Sequence, residues 1–335
     1  MSTHSGPTPE LFLDAMFAYT RTAAVRAAVD VELFTAVDEG HHTVAAIATR
    51  CQSSERGIRI LADYLTVAGF LRKAGDQYTL TDDSTVFLSK RSPAYMGTVV
   101  DFLGAREPMR NFEQLTERVR SGSMPRDAST VSDDNPVWVT FAKAMTPMMM
   151  PSAQAIAGVL GVASAGPMRV LDLAAGHGIF GIVLAERNPQ VTVTAVDWPA
   201  VLDAAAQHAA EHGVAADRYR RLPGDAFAVE FGAGYDVALV TNFLHHFDRE
   251  TNVAFMRTVR AALTPGGRAV VVEFVPNEDR VSPPMAGMFA IMMLAGTPRG
   301  TTYTLADLSG IAKDAGFRHV EAHAAPPQTI VVMTA

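Results

Sequence analysis

The chain has one cysteine, Cys51, in 335 residues. A single thiol excludes an internal disulfide and any zinc cluster built on cysteine. Charge is scarce as well: charged residues make up 19%, and the balance is acidic, with a net charge of −7 at pH 7. Such a chain has no general attraction for nucleic acid or for an anionic membrane. Long apolar runs are missing, since none reaches the ~20 residues that span a bilayer. The opening stretch "MSTHSGPTPE" lacks the basic segment and apolar core of a secretion signal. The expectation is a soluble cytoplasmic protein with no membrane and no nucleic-acid partner. Hydrophobic residues, at 48%, are plentiful enough for a large core. The length exceeds the roughly 250–300 residues at which one core stops growing, which predicts two domains.

Residues 9–38 have helical spacing, with Leu11, Leu13, Met16 and Phe17, then Val29, Leu33, Phe34 and Val37. "TVAAIATRC" reads as one helix. Ser53 or Ser54 can cap another that runs through Leu65, with Ile58, Leu61 and Leu65 on one face. "GFLRKAGDQYTLT" reads as two short strands about Gly75-Asp76. Helix, helix and hairpin make a winged-helix pattern. Residues 121–136 are a polar loop, and 137–165 are helical and rich in methionine. The predicted division is 1–105, a winged-helix-like domain; 106–165, a helical linker; and 166–335, an α/β domain.

From Met168 the period changes. "RVLDLA", "VTVTAVD", "DVALVTNFL" and "RAVVVEFV" are apolar strand runs separated by helical stretches at 180–187, 199–212 and 250–263. Alternating β and α implies a parallel sheet covered on both faces. The end differs: "HVEAHAAP" and "TIVVMTA" are strands with only a short turn between them, hence an antiparallel hairpin at the sheet edge. A Rossmann-like, doubly wound sheet finished by such a hairpin is the architecture of the S-adenosylmethionine methyltransferases.

"VLDLAAGHGIFG" places a strand, a turn of small residues and a helix in succession. Such a turn lets the backbone approach a ligand at the switch point of an α/β sheet. The strict G-x-G-x-x-G spacing is absent: Ala174 takes the first position, followed by Gly176 and Gly178. Asp172 at the strand end could hold an ammonium group. Asp197, beside Trp198, ends the next strand, where an acid would take two ribose hydroxyls. Gly224, Asp225, Ala226 and Phe227 follow the third strand, and Asp225 could accept from an adenine amino group. Asn242 closes the expected cofactor set. The competing reading is a structural turn with solvated carboxylates.

In "TNFLHHFDRE" two histidines, His245 and His246, end an apolar run. Adjacent helical residues point about 100° apart, so the two cannot face one pocket alike. A metal held by His245, His246 and Asp248 would need an i, i+1, i+3 set to converge, and no metal is expected. The methionine clusters "MTPMMM" and "MFAIMML" could line a flexible apolar pocket or simply fill the core. Phe141, Met149, Met288 and Met292 are the pocket candidates, with Tyr303 as a hydrogen-bonding partner for a substrate.

"VLDLAAGHG", "AVDWPAVL", "GDAF", "LHHFDRE", "LTPGG" and "YTLADLSGIAKDAGF" occur in an order that resembles the small-molecule O-methyltransferases of the plant caffeic acid type. The resemblance covers nearly the whole chain, because the winged-helix segment is similar to that family's dimerisation domain. It implies S-adenosylmethionine as the donor and a small-molecule acceptor. It also implies a homodimer in which each N-terminal domain helps to close the partner's acceptor pocket. The family's base, a histidine after the fourth strand, matches His245, and its strand-five acid matches Glu273. Both fall at the carboxyl ends of strands expected to be neighbours, where ligands bind in such sheets. Two positions depart from the pattern. A lysine near the end of strand four is replaced by Thr241 or Asn242, and Thr302 stands where a second glutamate belongs.

The leading expectation is therefore an O-methyltransferase for an apolar, aromatic or polyketide-like acceptor. Methylation of carbon, sulfur or nitrogen on the same fold is the alternative. A winged-helix DNA-binding regulator is disfavoured. Residues 1–100 hold nine Lys/Arg against eleven Asp/Glu, and the candidate recognition helix is neutral. The missing third-glycine spacing and the terminal hairpin argue against a nicotinamide oxidoreductase.

Overall fold

The computed structural model describes residues 6–130 and 135–335. It divides into two compact units, the second beginning at Arg106.

In the first unit the helices are α1 (Glu10–Asp30), α2 (Leu33–Asp38), α3 (Val44–Arg50), α4 (Glu55–Val67), α5 (Asp82–Leu88) and α6 (Val100–Leu103). The hairpin β1 (Leu71–Ala74) and β2 (Gln77–Leu80) stands between α4 and α5. Two caps set the helix starts. The Thr43 hydroxyl accepts from the Ala46 N–H, and the Ser54 hydroxyl accepts from the Gly57 N–H. Each satisfies a donor that the first turn leaves without a partner. Phe34, Ile47, Ile58, Leu65, Leu71 and Tyr78 form the core of the unit. Helix α1 behaves otherwise: Leu11, Phe12 and Phe17 are 84%, 64% and 58% exposed.

The second unit opens with α7 (Arg106–Glu113), α8 (Leu115–Ser121), α9 (Val137–Ala144) and α10 (Thr146–Val159). Alternating elements follow: β3 (Met168–Leu173), α11 (Ile179–Arg187), β4 (Val191–Asp197), α12 (Pro199–Glu211), β5 (Tyr219–Pro223), β6 (Tyr235–Thr241), α13 (Arg249–Ala262) and β7 (Leu263–Glu273). The chain ends with α14 (Pro284–Gly296), α15 (Leu305–Ala315), β8 (His319–Ala325) and β9 (Gln328–Thr334). The sheet order is β5-β4-β3-β6-β7-β9-β8. β3 to β7 run parallel, while β9 is antiparallel to both β7 and β8. This is the expected α/β sheet with its terminal hairpin. The switch point lies between β3 and β6, so the loops leaving those strands face one crevice.

Two strand ends differ from the sequence expectation. The run "DVALVTNFL" stays apolar through Leu244, yet β6 stops at Thr241 because Asn242 turns into the left-handed region at φ +53°. Asparagine is one of the few residues other than glycine that tolerate that conformation. Leu244–His246 then form a single 3-10 turn rather than more strand. β7 stops at Glu273 itself, so its carboxylate stands at the mouth of the crevice wall.

Candidate active site

The turn after β3 brings backbone, not side chains, to the crevice. Ala174, Gly176 and Gly178 all have positive φ, at +51°, +57° and +73°. Gly178 has no alternative, since a Cβ there would stand 2.3 Å from the Tyr219 hydroxyl. Asp197 closes the turn: its Oδ2 accepts from the Gly176 N–H at 2.8 Å and its Oδ1 from the Trp198 N–H at 2.7 Å. Burial pushes the Asp197 carboxyl up to about 6, against the pull of those two donors.

Asp172 lies at the end of β3, as its position in the sequence suggested. It is fully buried beneath the turn, and its Oδ2 accepts from the Gly181 N–H at 3.3 Å. Desolvation raises this carboxyl well above the usual range. It lies under α11, and its Oδ1 is buried with no hydrogen-bond partner among the described residues. His177, between two glycines of the turn, is buried too. Its Nδ1 accepts from the Ile179 N–H at 3.1 Å, and its ring stacks on Phe141 at 5.6 Å. Burial pulls its pKa down to about 3, so it stays neutral.

Phe141, a pocket candidate, thus lies on the glycine turn, and its ring would meet a Gly176 Cβ at 3.4 Å. After β5, the Asp225 Oδ1 accepts from the Phe227 N–H. Gly224 has φ +151° and Ala226 is buried. Phe227 keeps 41% exposure at the edge of a cluster with Phe243, Phe247 and Phe255. A cavity of about 280 Å³ opens beside it, lined by Arg126, Asp225, Phe227, His246, Phe247, Asp248, Thr251, Pro298 and Arg299.

Asn242 is tied back into the protein. Its Oδ1 accepts from Gln328 Nε2, and its Nδ2 donates to the Met149 sulfur at 3.6 Å. Gln328 Oε1 in turn accepts from the Ser152 hydroxyl at 2.8 Å. Met149 is buried in this network and Met292 is half-buried, whereas Met288 is 51% exposed. Tyr303 is already engaged: its hydroxyl donates to the Phe247 carbonyl, and burial raises its pKa to about 12. It is a packing residue here, not a free donor for a substrate. Thr302 is buried, and its carbonyl accepts from Arg280.

A short polar contact joins His245 to Glu273. His245 Nδ1 lies 2.5 Å from Glu273 Oε2, and the His245 backbone N–H donates to Oε1 at 3.3 Å. Both side chains are under 5% exposed. The carboxylate assigns the proton to Nδ1 and leaves Nε2 without a partner among the described residues. The His245 carbonyl accepts from the Thr301 N–H at 2.9 Å, which pins the turn from behind. Phe289 of α14 stands edge-on to the imidazole at 4.7 Å. His246 is buried as well, with its ring 4.3 Å from that of His245. Among the described residues no group of three or more His, Cys, Asp or Glu is arranged to hold a metal ion. No helix among them is long and apolar enough to cross a membrane.

The chain belongs to the O-methyltransferase family: the O-methyltransferase domain matches residues 130–318, and the O-methyltransferase dimerisation domain matches residues 13–90. It is 26% identical to the 3-hydroxy-5-methyl-1-naphthoate 3-O-methyltransferase of Streptomyces sahachiroi, over 93% of this chain and 90% of that one. It is also 26% identical to the tetracenomycin polyketide synthesis 8-O-methyl transferase of Streptomyces glaucescens, over 97% and 96%. A crystal structure from Nostoc punctiforme, provisionally assigned as an O-methyltransferase, superposes with a TM-score of 0.94. It is 41% identical, over 98% of this chain and 100% of that one.

Proposed function

We propose that this enzyme methylates a hydroxyl on an apolar, aromatic, polyketide-like small molecule, with His245 as general base. The observation that carries the reading is the buried His245–Glu273 pair, set at the carboxyl ends of the neighbouring strands β6 and β7. The donor is S-adenosylmethionine, which supplies a methyl group already activated on a sulfonium. The residues present fit that group. The Gly176–Gly178 turn bares backbone at the start of α11, Asp197 sits at the end of β4 for a ribose, and Phe227 offers an exposed flat face near Asp225 for a purine.

His245 Nε2 would take the proton of the acceptor hydroxyl; the methyl that S-adenosylmethionine would supply passes to that oxygen as the sulfonium carbon–sulfur bond breaks, with S-adenosylhomocysteine as the leaving group. Glu273 fixes the ring and stabilises the imidazolium that results. A neutral phenol is a weak nucleophile at pH 7 because its pKa lies near 10. Proton removal of this kind contributes about 10²–10⁴-fold, and alignment of the reactants supplies roughly 7–11 kcal/mol. Phe289 beside the base and the Met149 and Met292 side chains favour an apolar acceptor. The exposed apolar face of α1 favours a homodimer through the N-terminal domain.

The test uses hydroxynaphthoates as acceptors and follows release of S-adenosylhomocysteine. His245→Ala should lower turnover at least about 100-fold and leave S-adenosylhomocysteine affinity within about twofold, while Glu273→Gln should fall between. Near-normal turnover in His245→Ala would remove histidine from the role of base.

A further inference from the structure

His245 and His246 are close enough to compete for a proton. Two imidazolium rings with centroids 4.3 Å apart would repel, so a charge on His246 would oppose one on His245. The surroundings of the two rings differ. His245 faces the Glu273 carboxylate. His246 faces Trp138, edge-on at 5.3 Å and 83°, and its Nδ1 is buried with no partner among the described residues. The other charged groups around His246 lie across the cavity: Asp225, Asp248, Arg126 and Arg299, with Arg299 and Asp248 3.7 Å apart.

Trp138 is itself anchored. Its indole N–H donates to the Thr130 carbonyl at 2.9 Å. Thr130 in turn donates through both its backbone N–H and its hydroxyl to the carbonyl of Gly296, the last residue of α14. Helix α14 also supplies Phe289 against the opposite side of His245. One helix therefore braces the histidine pair from both ends, directly through Phe289 and indirectly through Thr130 and Trp138. An imidazole with an unsatisfied buried nitrogen is costly, about 1–3 kcal/mol, so such an arrangement persists only where the surroundings enforce it.

We propose that Trp138 is a positioning residue for the reaction: by walling off the His246 ring from water it keeps that ring from taking up a charge beside His245. Burial and the neighbouring His245 both hold His246 well below the ordinary histidine range, in keeping with this geometry. The catalytic meaning of the inference rests on His245 being the base. Its test does not, because it reads proton occupancy rather than turnover.

The experiment is a pH titration from 5 to 9 of protein carrying ¹⁵N-labelled histidine and saturated with S-adenosylhomocysteine. His245→Asn and His246→Asn assign the two rings. In the wild type His246 should stay neutral throughout. In Trp138→Ala water reaches the ring, and its midpoint should rise into the titrated range, by about one pH unit or more. Trp138→Phe keeps an apolar ring there and should restore the wild-type curve, which a general loss of packing would not do. If Trp138→Ala loses S-adenosylhomocysteine binding, Trp138→Leu carries the same expectation at smaller amplitude. The inference is overturned if His246 titrates in the wild type. It is equally overturned if His246 stays neutral in the smallest Trp138 variant that still binds S-adenosylhomocysteine.

Discussion

Gly178→Ala tests why the cofactor turn is built as it is. At φ +73° an alanine pays the left-handed cost of about 1–2 kcal/mol. Its Cβ would also stand 2.3 Å from the Tyr219 hydroxyl, 3.1 Å from the Ala205 Cβ and 3.2 Å from the Ile182 Cδ1. Restoring ordinary contact at 3.4 Å requires the phenol to retreat by about 1.1 Å in a close-packed interior. Overpacking of this kind costs about 1–3 kcal/mol, so the expected total is about 2–5 kcal/mol. The two parts can be separated. The Tyr219 hydroxyl is buried with no hydrogen-bond partner among the described residues, so Tyr219→Phe alone should change stability by no more than about 1 kcal/mol. In the double variant the oxygen clash is gone and the backbone cost remains. Urea unfolding of the four proteins should then give a coupling energy of about 1–3 kcal/mol. Calorimetry should show weaker S-adenosylhomocysteine binding in Gly178→Ala and partial recovery in the double variant. An equal penalty with and without the Tyr219 hydroxyl would refute the steric account of this glycine.

Two further outcomes follow from the geometry. In the proposed ribose contact Asp197 must be ionised for both its oxygens to accept from the hydroxyls, and burial raises it to about 6. S-adenosylhomocysteine affinity should therefore be flat above pH 7 and fall below pH 6, by up to about tenfold per unit. Asp197→Asn should bind weakly with no such slope, and a pH-independent wild type would contradict the assignment. Phe17→Asp places a charge on the exposed apolar face of α1 and should shift a sedimenting dimer to monomer at micromolar concentration. A wild-type protein that already sediments as a monomer would rule out that interface.

The alternation of strands and helices, the glycine turn and the terminal hairpin were all legible in the sequence, because each rests on local pattern. The adjacency of His245 and Glu273 was legible too, since it follows from the order in which such sheets wind. The direction of the Asp172 side chain was not: β3 is buried on both faces, so alternation carries no information about where a side chain in it points. The end of β6 was missed because an apolar run conceals a backbone turn at Asn242. The Ser152–Gln328 contact spans 176 positions, and polar residues on separate elements carry no periodic signal that would pair them. Trp138 and His246 likewise meet only through the fold.

The place of β9 has a consequence for synthesis. The last strand of the chain lies inside the sheet, between β7 and β8, and its Gln328 holds Asn242 at the end of β6. A chain leaving the ribosome can close its first five parallel strands early, but the wall that carries Asn242 waits for residues 328–334. Cofactor-competent protein should thus emerge only once residues 328–334 have left the ribosome and slotted between β7 and β8.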